Sequence, residues 1–182
     1  MFSTMSIVTQ ETLYRVTRYA LAVLLLTSVH HAYGAYAYHT PWRLDAVVLS
    51  AFAAAAIISS LVVIQRRNTD ESVREIAFWV LTAVVLVVPV ALIGLFEGGY
   101  NHALKDAVYF AGASPTLMNR LFPPPTYELP NDVFFEATGV MQAVLGSITT
   151  WLLSRLIWSR VGRIVVAPKT DGSLDERIQA RG

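Results

Sequence analysis

Cysteine is absent from all 182 residues of the sequence. Its absence excludes disulfide bridges, thiolate metal ligands, cysteine-held iron–sulfur clusters and a cysteine nucleophile. Charged residues are also scarce, at 15% of the chain, whereas soluble domains carry about 25%. The net charge of +1 provides no field that would attract nucleic acid, so we predict no nucleic-acid partner.

Familiar catalytic motifs are missing as well. The sequence has no His-Glu-x-x-His, no Glu-x-x-His pair and no Gly-x-Ser-x-Gly nucleophile elbow. A function cannot be read from a motif, and the interpretation depends on where polar residues fall among apolar ones.

Long apolar stretches dominate the sequence. Hydrophobic residues make up 54% of the chain, and the mean hydropathy is +0.49. A spanning helix needs about 20 mostly apolar residues. Four stretches qualify, at about 13–33, 42–64, 72–96 and 132–158. Inside hydrocarbon each segment must satisfy its own backbone hydrogen bonds, which a helix does. The predicted fold is therefore all-α, an integral membrane four-helix bundle.

The predicted domain organisation is simple. Residues 1–166 form one membrane domain, and the polar residues 167–182 form a disordered tail. A signal peptide is a rival interpretation of residues 15–37, because Ala35-Tyr36-Ala37 resembles a cleavage site. We favour a span, since the apolar stretch is long and bulky tyrosines surround that site.

Basic residues are distributed unevenly between the two sets of helix ends. Three of them, Arg43, Lys105 and Arg120, lie on one side, and the other eleven lie on the opposite side or in the tail. The positive-inside rule then predicts a plasma (inner) membrane protein with both termini cytoplasmic. The long segment 97–131 would face outward, and the apolar spacing within 100–110 predicts a short interfacial helix there.

Small residues recur on two of the predicted helices. Gly94 and Gly98 form a Gly-x-x-x-Gly motif on the third helix, and Gly139, Ala143 and Gly146 form a stripe on the fourth. Such residues let helices approach closely in lipid. They favour packing within the chain, but a homo-oligomer or a membrane protein partner would use the same faces. The lipid bilayer is the one partner that composition itself predicts.

Histidines and carboxylates collect on the predicted outer side. All four histidines, His30, His31, His39 and His102, map there. Glu97 closes the third span, and Glu136 lies one turn inside the fourth. An ionisable group near hydrocarbon costs a few kcal/mol on insertion scales, which makes it a candidate functional residue.

This residue set fits two kinds of chemistry. Histidine with carboxylate binds zinc, iron or copper, and it also serves general acid–base catalysis. Adjacent His30 and His31 point about 100° apart, so we predict that one of them faces inward. His39, Asp45 and Asp132 have simpler structural explanations. The candidate metal ligands are His30, His31, Glu97, His102 and Glu136, and the candidate catalytic residues are Glu97 and Glu136.

One segment resembles a known family. The run Glu97-Gly98-Gly99-Tyr100, a long loop, and then Tyr127, Asp132, Phe134 and Glu136 resemble two helices of the emopamil-binding (EXPERA) sterol isomerase group. The resemblance implies proton-transfer chemistry by intramembrane glutamates and a histidine. It departs from the family pattern at Ile93, where histidine would be expected, and in helix order. It is therefore not used to assign the chain.

Three functions remain open on the sequence alone. The first is a metal-binding membrane enzyme whose outward pocket accepts a lipid-soluble or small periplasmic substrate. The second is a non-catalytic subunit that docks on a larger membrane complex through the proline-rich segment 123–127. The third is a metal-free acid–base isomerase. A transporter is disfavoured, because no helix carries a polar face along its full length.

Overall fold

The apolar stretches form long helices in a computed structural model, which describes residues 7–124 and 127–166. Within these ranges all regular secondary structure is helical. A 3₁₀ turn at Pro41–Arg43 precedes the second helix. The helices are α1 (Ile7–Ala37), α2 (Leu44–Gln65), α3 (Glu71–Phe110), α4 (Pro115–Leu121) and α5 (Val133–Val166).

Four of these helices, α1, α2, α3 and α5, are long and apolar enough to cross a membrane. This confirms the all-α class and the four long apolar helices that the sequence predicts. α1 extends beyond its predicted apolar stretch at both ends, α3 and α5 extend well past theirs at the C-terminal end, and α2 matches its stretch within two residues. Helical hydrogen bonding can continue past the residues that lipid would cover. The predicted tail at 167–182 lies outside the described residues, as do Pro125 and Thr126 of the proline-rich segment.

The segment 100–110 differs from the prediction. It continues α3 instead of forming a separate interfacial helix. Gly98 does not end the helix, because its missing side chain lets the backbone pack against the backbone of α5 at Ala143. The short helix in the connection is α4, where the Ser114 side chain accepts a hydrogen bond from Leu117 N at 3.3 Å.

The middle of α3, Leu86–Leu104, winds as a π-helix, in which each N–H bonds to the carbonyl five residues earlier. Pro89 lies near the start of this wide section. Proline has no N–H, and its ring clashes with the carbonyl four residues earlier in an α-helix. Wider turns relieve that clash, and they bring residues about four to five apart onto one face.

The four long helices form a closed ring of neighbouring contacts. Both α1 and α3 pack against α2 on one side and against α5 on the other. The side-chain pairs Thr27–Gln142 and Tyr33–Asp132 show that α1 and α5 run antiparallel. A buried apolar core fills the interior and includes Val16, Val23, Ile57, Leu81 and Leu156. The predicted pocket residues lie beyond this core, where α1 ends and α5 begins.

Glycines define the contact between α3 and α5. A Cβ added at Gly94 would meet the Gly146 backbone, and one added at Gly98 would meet Ala143. This confirms the prediction that the two small-residue faces pack within the chain. Contact with another copy or another protein stays a prediction for the remaining helix faces.

Candidate metal centre

The carboxylate of Glu97 lies at the centre of a histidine cluster. Its Oε1 atom is 3.6 Å from Nε2 of each of His30, His31 and His102. All three imidazoles therefore direct the same nitrogen at one oxygen atom. A separation of 3.6 Å is too long for a hydrogen bond, so these contacts do not satisfy the hydrogen-bonding capacity of the imidazole nitrogens or of the carboxylate oxygen. We call these four residues the Glu97 cluster.

Adjacent His30 and His31 both belong to the cluster, whereas the sequence predicted only one of them. Their rings are nearly perpendicular, at 89°, with centroids 5.1 Å apart. His30 is fully buried, and its ring stacks on Phe135 at 4.1 Å. The two side chains leave α1 in different directions, but Glu97 Oε1 is equally far from both ring nitrogens.

The π-helix brings Glu97 and His102 together on α3. In an α-helix, residues five apart point in directions about 140° different, because each residue turns by about 100°. The wider winding places them on one face. Asn101 donates from Nδ2 to the second oxygen of Glu97, Oε2, at 2.6 Å. This bond fixes the carboxylate and leaves Oε1 directed at the histidines.

A threonine on α5 fixes the tautomer of His30. His30 Nδ1 lies 2.9 Å from Thr138 Oγ1, and Thr138 donates its own hydrogen to the Phe134 carbonyl at 2.7 Å. With the hydroxyl hydrogen assigned to that carbonyl, Oγ1 accepts from His30, and Nδ1 then carries the proton. The other nitrogen, Nε2, presents a lone pair to Glu97, and it has no hydrogen-bond partner among the described residues.

Glu136 lies behind His102, on the side away from Glu97. Its Oε2 atom is 2.6 Å from His102 Nδ1, and its Oε1 atom accepts from Lys105 Nζ at 2.9 Å. The predicted roles of Glu136 as metal ligand and catalytic residue stay predictions. The structure places the carboxylate one residue away, where it orients His102 Nε2 toward Glu97.

Other sequence-selected residues lie outside the cluster. His39 is exposed in the loop after α1, with a positive φ of 54°. Asp45 is exposed in the first turn of α2. Asp132 caps α5 by accepting from Phe135 N at 3.0 Å, and it accepts from Tyr33 Oη at 2.6 Å. The Tyr33 hydrogen bond holds the pKa of Asp132 below its usual value.

Four supporting residues are not among the site residues that the sequence predicted: Arg43, Asn101, Lys105 and Thr138. Lys105 is only 2% exposed, although lysine is almost never fully buried unless it is paired. The dense polar run at 101–106 is a signal that could have found Asn101 and Lys105. No comparable signal exists for Thr138, which looks like an ordinary helix threonine.

The spacing within the cluster suits a metal ion. The ligand atoms of His30, His31 and Glu97 all lie within 4.8 Å of one another. Metal ligands at about 2.0–2.2 Å in a tetrahedral site are about 3.3–3.6 Å apart. The 3.6 Å separations around Glu97 Oε1 lie at the upper end of that range. His102 Nε2 meets Glu97 Oε1 at the same distance, but His102 is not part of the group whose ligand atoms all lie within 4.8 Å of one another.

A cavity of about 230 Å³ adjoins the cluster. His31, Glu97 and His102 form one wall, and Arg43, Lys105 and Glu128 contribute polar atoms elsewhere. The aromatic rings of Trp42, Phe96, Tyr127 and Phe135 complete the lining. Burial raises the pKa of Tyr127 above its usual value. Because three cluster residues line this cavity, a small molecule can reach the cluster from one side.

Comparisons with protein-family models, with curated proteins and with solved structures found no match to this chain. The function must therefore be argued from the geometry of the Glu97 cluster and its cavity.

Proposed function

We propose that this chain is a multi-pass membrane protein that binds a divalent transition metal ion in the Glu97 cluster. One observation carries the proposal: Glu97 Oε1 lies 3.6 Å from the same nitrogen of three different histidines. The ligands are His30, His31, Glu97 and His102. Imidazole and carboxylate suit zinc, iron or copper.

Electrostatics favour a cation at the centre of the cluster. His30 directs an unprotonated nitrogen at a carboxylate, so two lone pairs face each other across 3.6 Å. Burying an unsatisfied polar group costs about 1–3 kcal/mol. A metal ion between the two atoms would bond to both and remove that cost.

The surrounding hydrogen bonds match those of known metal sites in kind. Metal-bound histidines almost always donate their second N–H to a carboxylate, a carbonyl or another acceptor. His102 has Glu136 at 2.6 Å, and His30 has Thr138 at 2.9 Å. Lys105 in turn holds Glu136 at 2.9 Å, which keeps the acceptor of His102 in place.

The adjoining cavity supports an enzymatic role. Its wall includes three of the four proposed ligands, so a small substrate in the cavity would reach the metal directly. A bound metal would supply Lewis acidity, and zinc would also lower the pKa of a bound water to about 7. We therefore propose a metal-dependent membrane enzyme that acts on a small substrate.

The proposed setting is the plasma membrane, with the long helices arranged as a four-helix bundle and both termini cytoplasmic. The apolar length of the four helices and the eleven-to-three distribution of basic residues support this setting. The metal centre would then lie near the outer surface.

Elemental analysis of detergent-purified protein tests the proposal. The wild-type protein is expected to carry close to one transition metal ion per chain. Glu97→Gln keeps the shape of the side chain but removes its charge, and His102→Ala removes one ligand, so both should lose metal. His39→Asn is the matched control, because it removes an exposed histidine and asparagine tolerates positive φ. It should retain the metal.

The opposite result favours the second candidate function. A folded wild-type protein that binds no added zinc, iron or copper would overturn the metal proposal. The chain Lys105–Glu136–His102 would then be a proton relay for metal-free acid–base chemistry, and its contacts of 2.9 and 2.6 Å favour that function. A docking subunit would instead tolerate Glu136→Gln and be sensitive to changes at Pro123 and Pro124.

A further inference from the structure

Arg43 has an unused donor inside the cavity that adjoins the Glu97 cluster. The residue is only 5% exposed, and its Nη2 atom has no hydrogen-bond partner among the described residues. The nearest carboxylate oxygen, Glu128 Oε1, is 3.9 Å away, which is beyond hydrogen-bond length. A buried donor without a hydrogen bond is costly, so Nη2 is positioned for a partner that the described chain does not supply.

The surroundings hold the Arg43 guanidinium in place. Its Nε atom donates to Thr40 Oγ1 at 2.8 Å. The charged group also lies over three aromatic rings, with centroid distances of 4.9 Å to Trp42, 5.2 Å to Phe135 and 5.6 Å to Tyr38. Cation–π contacts of this kind stabilise arginine and restrict its motion. The free Nη2 donor is therefore fixed in position before any ligand arrives.

The net charge around the cavity favours an anionic ligand once a divalent metal ion is bound. Among the charged residues that line it, Arg43 and Lys105 balance Glu97 and Glu128. Glu136 lies behind Lys105 and is hydrogen-bonded to the carboxyl group of Asp106, and this pair adds one negative charge when it shares a proton. A divalent ion in the Glu97 cluster would leave an excess of one positive charge, and a ligand with a single negative charge would neutralise it.

The size and lining of the cavity limit what that anion can be. A volume of about 230 Å³ equals that of roughly seven or eight water molecules. This is below the ~300–1,000 Å³ typical of drug-sized ligands. Aromatic rings form much of the wall, so the ligand would also have a short apolar part.

We propose that the cavity binds a small monocarboxylate, whose carboxylate accepts a hydrogen bond from Arg43 Nη2 while its apolar part lies against the aromatic wall beside the metal. The inference rests on the proposed metal centre for its charge balance. The unpartnered donor of Arg43 does not depend on the metal, so the two proposals can fail separately.

Calorimetric titration of the detergent-purified full chain with butyrate tests the inference. Butyramide has the same shape without the charge and serves as the matched ligand. One butyrate molecule should bind per chain. It should bind at least about tenfold more tightly than butyramide, because hydrogen bonds between charged groups are stronger than those to neutral groups. Arg43→Gln should weaken butyrate at least about tenfold while the metal content stays at the wild-type value.

A second variant keeps the test informative if Arg43→Gln does not fold. Glu128→Gln removes the negative charge 3.9 Å from Nη2 and should strengthen butyrate binding by roughly fivefold. Unchanged or weaker binding in this variant would overturn the inference. Equal binding of butyrate and butyramide, no binding of either, or tighter binding of inorganic phosphate than of butyrate would do the same.

Metal analysis of the same samples separates the two proposals. Butyrate binding that depends on Arg43 in a metal-free wild-type protein would leave the carboxylate site standing and remove the metal centre. Butyrate binding that is lost on metal removal and is indifferent to Arg43→Gln would show that the carboxylate binds the metal alone. That result would overturn the Arg43 site and keep the metal centre.

Discussion

At the scale of single residues, the Thr138 hydroxyl sets which nitrogen of His30 carries the proton. The hydroxyl donates to the Phe134 carbonyl and accepts from His30 Nδ1. His30 therefore presents a lone pair to the cluster, as a metal ligand must. Glu136 has the corresponding position on His102, where a carboxylate replaces the hydroxyl.

Thr138→Val tests this role, because valine keeps the shape of threonine and loses the hydroxyl. Without its acceptor, His30 is no longer held in one tautomer and one orientation. We expect metal affinity to fall about 10–100-fold, as it does when such supporting residues are changed in metal sites, while the helical content stays constant. Metal affinity measured by competition with a chelator checks this result.

Thr150→Val is the control for that measurement. Thr150 makes the same kind of hydrogen bond to its own helix, to the Gly146 carbonyl at 2.8 Å, but lies far along α5 from the cluster. Its replacement should leave the metal affinity unchanged. Equal losses in both variants would show that helix stability, and not the tautomer of His30, controls binding.

At the scale of helices, the π-helical section of α3 assembles the site. It places Glu97 and His102 on one face and directs Gly94 and Gly98 at α5. Widened turns of this kind occur often at functional sites. The close approach of α3 and α5 depends on glycine, since a Cβ at Gly98 would overlap the Ala143 backbone.

Adjacent glycines on α3 provide a matched pair of variants. Gly98→Ala should lower the free energy of unfolding by about 1–3 kcal/mol, the usual cost of overpacking, and should displace Glu97. At Gly99 an added Cβ would meet only ordinary contacts, at 3.5 Å and beyond. Gly99→Ala should therefore be neutral or stabilising by up to about 1 kcal/mol, because alanine favours helix.

Unfolding by SDS in mixed micelles, followed by circular dichroism, measures both variants. A Gly98→Ala protein as stable as Gly99→Ala would contradict the close packing of α3 on α5. Metal analysis of the same samples would then show whether Glu97 has nonetheless moved.

At the scale of the whole molecule, antiparallel packing carries residues far apart in sequence into one site. His30 on α1 and Thr138 on α5 are 108 positions apart and are joined by one hydrogen bond. At the other end of α5, Arg160 pairs with Glu75 of α3. The molecule thus separates a histidine end from an arginine end, and the proposed membrane orientation places the histidine end outside.

The lack of cysteine makes this orientation directly measurable. Single cysteines introduced at Asn68, between α2 and α3, and at Ala111, after α3, occupy exposed positions on opposite ends of α3. In intact bacterial cells, a membrane-impermeant maleimide should label Ala111→Cys and should label Asn68→Cys only after lysis. The reverse pattern would place the histidine end in the cytoplasm.

Much of this arrangement follows from the sequence by itself. The four long apolar helices follow because about 20 apolar residues in lipid would have to satisfy their own backbone hydrogen bonds, and a helix does so. The small-residue packing of α3 on α5 was also predictable, since glycines in such helices usually mark close contacts. The candidate ligands were found because ionisable residues near hydrocarbon are costly and therefore stand out.

The tertiary structure decided the rest. An α-helical period separates Glu97 from His102 and admits only one of His30 and His31, whereas the observed π-helix and the position of Glu97 bring all four together. The places of Thr138, Lys105 and Arg43 depend on which helices are neighbours. Local sequence specifies each helix through its own hydrogen bonds, but contacts between helices set the directions of these side chains, and those directions make the site.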